Sequence, residues 1–301
     1  RAKGETPEEL SGLLDAVLEA ATLVPLDDAT RESAIDIVGT GGDRSHSINV
    51  STMSAIVVAG AGVPVCKHGA RAASSQCGTA DVLEALGVAV ELSPEGVKQC
   101  VERAGMGFCL AARYHPAFRF AAPSRREIGV PTVFNLLGPM ANPGRVKRQL
   151  IGVANPMVAE RMLASLRLHG SKSSWVVHGG GLDELTTTGP STVLELRGGQ
   201  VRTFSVDPVS LGLAPAISEE LVGGTPAFNA DVVRRVMAGE QGAHRNIVVL
   251  NAGAGLVVAD VASSLEEGVA MAAESIDSGR ANETLTKLIT ESQAALAEFG
   301  A

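Results

Sequence analysis

Short apolar runs alternate with amphipathic helical patterns along most of the chain. The runs at 34–38, 63–66, 106–112, 150–154 and 174–178 predict buried strands, and a helical pattern follows most of them. Strands that alternate with helices in this way form a largely parallel sheet covered by helices. The sequence therefore predicts an α/β fold with a central, mostly parallel sheet, and a hairpin whose turn lies at 197–200.

Other segments predict further elements. Thr6-Pro7-Glu8-Glu9 is a capping box that predicts the start of an amphipathic helix. The segments 51–61, 79–86, 117–128, 156–168 and 229–238 predict helices. The apolar segments 88–92 and 247–250 predict two more strands.

Composition limits the possible partners. The chain has 301 residues with a net charge of -8, and its aromatic residues are 7 Phe, 1 Trp and 1 Tyr. Negative charge disfavours a general polyanion binder, and few aromatics disfavour base-stacking surfaces. We therefore expect no nucleic-acid partner, and any phosphate site must be a local basic pocket.

Cysteine spacing and apolar run length bear on the compartment. The longest apolar run, 55–66, is well short of the roughly 20 residues that a membrane span requires, so we expect no membrane partner. No targeting segment is evident, and the chain starts at Arg1 within a helical pattern, so we expect a cytoplasmic protein of which this chain is a fragment. The following cysteines lack metal-ligand spacing and predict buried free thiols: Cys66, Cys77, Cys100 and Cys109.

The first candidate site is the sequence GTGGD at 39–43, directly after a predicted strand. Its glycines allow a tight turn that presents N–H groups to an anion, and the helix that opens near Asn49 adds a favourable dipole. A tight turn followed by a helix cap explains the same residues. The motif alone leaves both interpretations open.

The second candidate site is the segment 67–75, again placed after a predicted strand. Lys67 and Arg71 supply two cations, and Ser74 and Ser75 supply two hydroxyls, a set suited to a phosphorylated ligand. A solvated charged loop is the alternative. His68 has no orienting partner nearby in sequence, so a structural role is favoured over a general base.

Two weaker signals follow. The sequence GGGLDE at 179–184 places Asp183 and Glu184 after a strand, where hard oxygen ligands favour Mg²⁺, although acidic helix starts are common. Arg125 could clamp a carboxylate or be a surface charge. Together, these strand-end loops predict a phosphorylated substrate with pyrophosphate and Mg²⁺.

Six motifs, in this order, resemble those of the anthranilate phosphoribosyltransferase family. They are GTGGD, Asn-x-Ser-Thr, KHG-x-R-x-x-SS, GTADVLEALG, NLLGPMANP and GLDELT. The resemblance extends from Arg1 to near Ala301. It implies transfer of the phosphoribosyl group of phosphoribosyl pyrophosphate (PRPP) to the amine of anthranilate, with release of pyrophosphate, in tryptophan biosynthesis.

The resemblance also implies site residues. Those expected to bind PRPP are Gly39, Gly42, Asp43, Ser47, Asn49, Ser51, Thr52, Lys67, His68, Gly69, Arg71, Ser74, Ser75 and Thr79. Those expected to bind Mg²⁺ are Ser51, Asp183 and Glu184, and those expected near anthranilate are Gly39, His115 and Arg125. No catalytic acid or base is assigned. Lys67 and Arg71 are the candidates for electrostatic stabilisation of the leaving group.

For architecture, the resemblance implies a homodimer whose protomer has a small helical domain and a larger α/β domain. Residues 1–33 would belong to the small domain, completed by about 117–131 and with its first helices missing, and 34–116 and 132–301 would form the catalytic domain. Ala70 and Arg44 depart from the family pattern, which usually has Asn and Gly at these positions. We expect the alanine to weaken anthranilate binding, while the arginine could close the loop or add a phosphate contact.

Two alternatives use the same features. A pyrimidine-nucleoside phosphorylase of the same fold class would place inorganic phosphate in the same loops, and phosphorolysis of thymidine or uridine would reveal it. A non-catalytic relative that binds nucleic acid would shift single-stranded DNA in a salt-dependent way. An amine acceptor other than anthranilate also stays open because of Ala70.

Overall fold

Most of the predicted strands come together in a seven-stranded sheet in the computed structural model, which describes residues 3–72 and 76–300. The strand order is β3-β2-β1-β4-β5-β6-β7. The strands are β1 Ile35–Gly39, β2 Val65–Gly69, β3 Met106–Leu110, β4 Arg148–Gly152, β5 Ser173–Gly179, β6 Ser191–Arg197 and β7 Gln200–Val206. Strands β1 to β5 are parallel, and β6 and β7 add an antiparallel hairpin, so the predicted α/β fold is confirmed.

Helices cover both faces of this sheet. They are α1 Pro7–Glu19, α2 Asp28–Ser33, α3 Val50–Gly60, α4 Thr79–Leu86, α5 Pro94–Ala104, α6 Ala111–Tyr114, α7 Phe118–Ile128, α8 Phe134–Met140, α9 Ala159–Leu168, α10 Pro226–Met237, α11 Ala243–Val258, α12 Leu265–Asp277 and α13 Arg280–Phe299. The predicted capping box at Thr6 is confirmed, with Glu9 N–H donating to Thr6 Oγ1 at 3.2 Å. Within the described ranges, no helix has both the length and the apolar character to cross a bilayer.

Two apolar clusters fill the space between the layers. The larger one joins the sheet to α3, α5, α11 and α13, and the smaller one joins the other face to α1, α8 and α9. Helix α3 is buried over nearly its whole length, which explains its small and apolar sequence. Its N-terminus is thereby fixed at the carboxyl end of β1.

Two strand predictions are wrong. The segment 88–92 forms no strand because its backbone bonds to neighbouring helices instead: Ala89 N donates to Ser292 Oγ at 3.0 Å. The segment 247–250 lies inside α11, which is buried all round, and a short apolar run of that kind does not distinguish a strand from a buried helix.

One strand ends later than predicted. The sequence places β2 at 63–66, whereas it runs from Val65 to Gly69. Lys67 and His68 are therefore buried strand residues and not loop residues. The Lys67 side chain is therefore buried at the site and is not on a solvent-exposed loop.

Candidate active site

The sheet changes winding direction beside β1. Strands β2 and β3 lie on one side of β1, whereas β4 and β5 lie on the other. In parallel α/β sheets the crevice at the carboxyl ends beside such a switch is the usual ligand site. A cavity of about 570 Å³ lies there.

Most residues predicted for the site line this one cavity. They are Gly39, Gly42, Asp43, Ser47, Asn49, Ser51, Lys67, His68, Gly69, Arg71, Thr79, Asp183 and Glu184. Thr52, His115 and Arg125 do not line it. Ser74 and Ser75 lie outside the described residues.

The glycine loop after β1 is strongly bent. Gly41 and Gly42 have φ of 67° and 80°, and Arg44 and His46 have φ of 62° and 53°. Left-handed backbone costs a residue with a Cβ atom roughly 1–2 kcal/mol, which glycine avoids. Arg44 therefore holds a conformation that glycine would adopt at less cost.

The loop after β5 brings its two carboxylates into the cavity by crossing the ends of three strands very closely. A Cβ atom at Gly39 would lie 2.3 Å from Asp183 Oδ2, and one at Gly152 would lie 1.5 Å from the Asp183 carbonyl oxygen. A Cβ atom at Gly179 would lie 2.6 Å from the Glu184 carbonyl oxygen. The 183–184 backbone can therefore pass this close to the strand ends only because these three positions are glycine.

The same loop is anchored from α11. Leu185 N donates to Asn251 Oδ1 at 3.0 Å, and Asn251 Nδ2 donates back to the Leu185 carbonyl oxygen at 2.8 Å. Asn251 is fully buried. This buried amide fixes the backbone directly after Glu184.

The two carboxylates repel each other in a buried place. Burial, and then the neighbouring Asp43, raise the pKa of Asp183 to about 7. Burial and the adjacent Asp183 raise the pKa of Glu184 well above its ordinary value. Gly41 N donates to Asp183 Oδ2 at 2.6 Å, and the Ser51 backbone N–H bonds to Glu184. Lys67 opposes the shift at Glu184 but does not cancel it.

These oxygen donors fit Mg²⁺. Within residues 3–72 and 76–300, no group of three or more His, Cys, Asp or Glu side chains is arranged to enclose a metal ion. Mg²⁺ in phosphate sites is typically held by one or two carboxylates, with water and substrate phosphates completing its shell. Asp183 and Glu184, with the Ser51 hydroxyl nearby, match that pattern.

Lys67 brings a buried positive charge to the cavity. Its Nζ donates to the Ile37 carbonyl oxygen and, at 3.3 Å, to Ser51 Oγ, and its side chain is 1% exposed. Burial lowers the pKa of Lys67, while Asp36 and Glu184 raise it. The ammonium group thus lies between two buried carboxylates.

Asp36 is a buried site residue that the sequence reasoning missed. Burial raises its pKa to about 6, although Lys67 opposes the shift. Its carboxylate accepts hydrogen bonds from His68 N at 3.1 Å and from Asn142 Nδ2 at 2.8 Å. A charged residue inside the apolar run at 34–38 was the signal that could have identified it.

His68 and His115 lie together, with His68 lining the cavity and His115 next to it. Their ring centroids are 4.9 Å apart, and burial lowers the pKa of both, for His68 to about 3. His68 Nδ1 donates to the Gly138 carbonyl oxygen, and His115 Nε2 donates to the Ala141 carbonyl oxygen. Among the described residues, His68 Nε2 and His115 Nδ1 have no hydrogen-bond partner.

Arg125 contacts the cavity wall through the side chain of Asn135. Its Nη2 is 3.5 Å from Asn135 Oδ1, and Asn135 lines the cavity. Its guanidinium also lies over the Phe134 ring, 5.3 Å from the centroid. Asn135 is a lining residue that the sequence reasoning missed.

Arg71 is turned toward carboxylates outside the cavity. Its guanidinium makes hydrogen bonds of 2.5 and 2.8 Å to Glu84 and one of 3.1 Å to Glu91. These partners raise the pKa of Arg71 above its ordinary value. An anion in the cavity must therefore compete with them for this side chain.

Comparison with known proteins agrees with this architecture. The sequence profile described as "Glycosyl transferase family, a/b domain" matches residues 31–282. The anthranilate phosphoribosyltransferase of Salinispora arenicola is 50% identical over 295 residues, which are 96% of this chain and 83% of the relative. That of Mesorhizobium japonicum is 48% identical over 96% of this chain and 85% of its own length.

Solved structures give the same result. The crystal structure of the Thermus thermophilus anthranilate phosphoribosyltransferase is similar with a TM-score of 0.92 and 43% identity, over 97% of this chain and 87% of that one. The Saccharomyces cerevisiae enzyme in complex with PRPP and Mg is similar with a TM-score of 0.87 and 29% identity, over 96% of this chain and 81% of that one. The resemblance stated from the motifs is therefore confirmed, and the chain belongs to the anthranilate phosphoribosyltransferase family.

Proposed function

We propose that this chain transfers the phosphoribosyl group of PRPP to the amine of anthranilate, giving N-(5-phosphoribosyl)anthranilate and pyrophosphate. One observation carries the proposal. The glycine loop, the buried Lys67 and the carboxylates of Asp183 and Glu184 meet in one cavity at the carboxyl ends of β1 and β2. The family relatives bear the name of this reaction, and a yeast relative was solved with PRPP and Mg.

The donor side supplies positive charge where the leaving group develops negative charge. Loss of pyrophosphate leaves an oxocarbenium-like ribose, so stabilising the departing oxygens lowers the barrier most. The glycine loop, the first residues of α3 and Lys67 line this cavity. Arg71 would join them by exchanging Glu84 and Glu91 for phosphate oxygens.

The magnesium ion would bind on the PRPP side of the cavity. Asp183 and Glu184 would hold the ion, with the Ser51 hydroxyl close by, and their mutual repulsion would be relieved by it. When bound, Mg²⁺ supplies Lewis-acid stabilisation of the diphosphate leaving group. The other cavity residues predicted from the sequence, together with Thr52, Ser74 and Ser75, are proposed to bind PRPP.

The acceptor would lie on the histidine side. Gly39, His115 and Arg125 are its proposed contacts, with Arg125 directed at the anthranilate carboxylate. An aromatic amine needs little activation, so we assign no strong general base. The lowered pKa of His115 supports this choice.

The activity test follows the fluorescence of anthranilate as it is consumed. With PRPP and Mg²⁺ we expect steady loss of fluorescence, and no loss with EDTA or without PRPP, because the diphosphate departs poorly without the cation. Absence of turnover in the presence of measurable PRPP–Mg²⁺ binding would place the fault on the acceptor side. A protein that shows no turnover and also binds no PRPP would refute the proposal.

Ala70 provides a test of the acceptor side. It lines the cavity beside Gly69, and its methyl group offers no hydrogen bond. Replacing Ala70 with asparagine should lower KM for anthranilate by about fivefold, since a neutral hydrogen bond contributes about 1 kcal/mol. Ala70→Ser is the control for added polarity, and an unchanged KM in Ala70→Asn would contradict the expectation.

Assembly and compartment complete the proposal. We propose a cytoplasmic homodimer in which 1–33 and about 117–131 form a small helical domain. Exposed apolar side chains on α1 and α7, among them Leu13, Phe120 and Ile128, support a partner surface there. The cysteines of the described residues are buried free thiols, which supports a reducing compartment.

A further inference from the structure

A buried amide joins helix α10 to the wall of the cavity. Asn229 lies on α10 and is 2% exposed. Its Nδ2 donates to Asn49 Oδ1 at 2.8 Å, and its Oδ1 accepts from Gly224 N at 2.8 Å. Both ends of this side chain are thus committed, and the Asn229 amide holds Asn49 in a fixed orientation.

Asn49 is an unusual helix cap. It is the N-cap residue of α3, where an asparagine side chain ordinarily accepts a hydrogen bond from the helix's own N–H groups. Here its side chain makes no such bond. Its Oδ1 accepts from Asn229 and from Cys77 Sγ, at 3.5 Å, and its Nδ2 donates to the Cys77 carbonyl oxygen at 3.4 Å.

The consequence concerns the anion site. An Asn49 oxygen folded over α3 would accept from the N–H groups of the first turn and compete with Glu184 for the Ser51 N–H. Held away by Asn229, it leaves the Ser51 backbone N–H to Glu184, and the Asn49 side chain stays in the cavity wall. The favourable local cap is given up for the geometry of the donor site.

We propose that Asn229 is a positioning residue for the phosphoribosyl-donor site, acting by holding Asn49 away from the N-terminus of α3. The proposal rests on the proposed function, since it takes the anion to be PRPP. Gly223 belongs to the same arrangement, because a Cβ atom there would lie 2.9 Å from Asn229 Oδ1. Asn229 touches no reacting atom and acts only through Asn49.

The test is a double-mutant cycle read by calorimetric binding of PRPP with Mg²⁺. Asn229→Asp keeps an acceptor for Gly224 N but cannot donate to Asn49, so we expect the Kd to rise about tenfold. Asn49→Ala should also raise the Kd, because it removes a cavity-lining side chain that is itself a proposed PRPP contact. Because Asn229 acts through Asn49, the double variant should bind no more weakly than Asn49→Ala alone.

Several outcomes would overturn the inference. If the factors of the two single variants multiply in the double variant, Asn229 acts through charge or general structure and not through Asn49. A change in Kd below twofold for Asn229→Asp in a folded protein would also refute it. Asn229→Ala, with thermal unfolding measured alongside, is the second variant should the carboxylate fail to fold. Wild-type protein that binds no PRPP would refute the proposed function, and this inference with it.

Discussion

Replacing Lys67 with methionine should lower kcat/KM for PRPP by at least about 10²-fold. A fixed cation in a water-poor site is worth on the order of 3–4 kcal/mol to a developing anion. Lys67 is buried, and its Nζ is positioned by the Ile37 carbonyl oxygen and Ser51 Oγ before substrate arrives. The measurement is steady-state turnover with PRPP varied at saturating anthranilate.

The same substitution should destabilise the protein. Removing one partner of a buried ion pair typically costs about 3–5 kcal/mol because the remaining charge is unpaired. Asp36 would be that remaining charge. The control is the double variant Lys67→Met with Asp36→Asn, which removes both charges.

We expect that double variant to recover much of the free energy of unfolding and none of the activity. Urea denaturation measures the first quantity, and the fluorescence assay measures the second. Recovered activity would show that Lys67 serves the fold and not the leaving group. A single variant as stable as wild type would show that Asp36 and Lys67 are not coupled.

Replacing Asp183 with asparagine should have opposite effects on activity and stability. Activity should fall about 10²-fold or more, because a carboxylate ligand of the metal is lost. In EDTA at pH 8 the variant should be more stable than wild type, by on the order of 1–2 kcal/mol, because a buried like-charge repulsion is removed. Asp28→Asn, at a side chain that is 97% exposed, is the matched control and should change neither quantity.

The pH dependence has a defined sign. The folded-state pKa of Asp183 is about 7, raised from its ordinary value of 3.8. Between those values the folded protein binds more protons than the unfolded chain, so the free energy of unfolding should fall as pH rises from about 4 to about 7. Asp36, with its pKa raised to about 6, contributes in the same direction.

Denaturation in EDTA at pH 5 and pH 8 checks this sign. Asp183→Asn should lose less stability than wild type between the two pH values, and added Mg²⁺ should stabilise wild type more at pH 8 than at pH 5. A wild-type protein that gains stability from pH 5 to pH 8 in EDTA would contradict the assignment.

Secondary structure could be predicted wherever the local pattern agreed with the tertiary environment. The glycine-ended strand β1, the capped helix α1 and the hairpin β6–β7 have clear local signals. The segments 88–92 and 247–250 were wrong because an apolar run reports burial and not backbone conformation. The residues that position the site (Asp36, Asn142, Asn229 and Asn251) carry no local signal beyond being polar in apolar surroundings.

The sequence by itself determined the α/β class, the family and the loops that line the cavity, because glycine turns and strand-end charges are local properties. The tertiary structure alone decided the charge balance, since the pairing of Lys67 with Asp36 and the repulsion between Asp183 and Glu184 depend on burial. It also decided that Arg71 is bound to Glu84 and that Asn49 is held by Asn229. The Asn49–Asn229 contact joins residues 180 positions apart, and the Arg71–Glu84 contact joins a loop to a helix, so it is packing of the helices on the sheet that brings both pairs within hydrogen-bond distance.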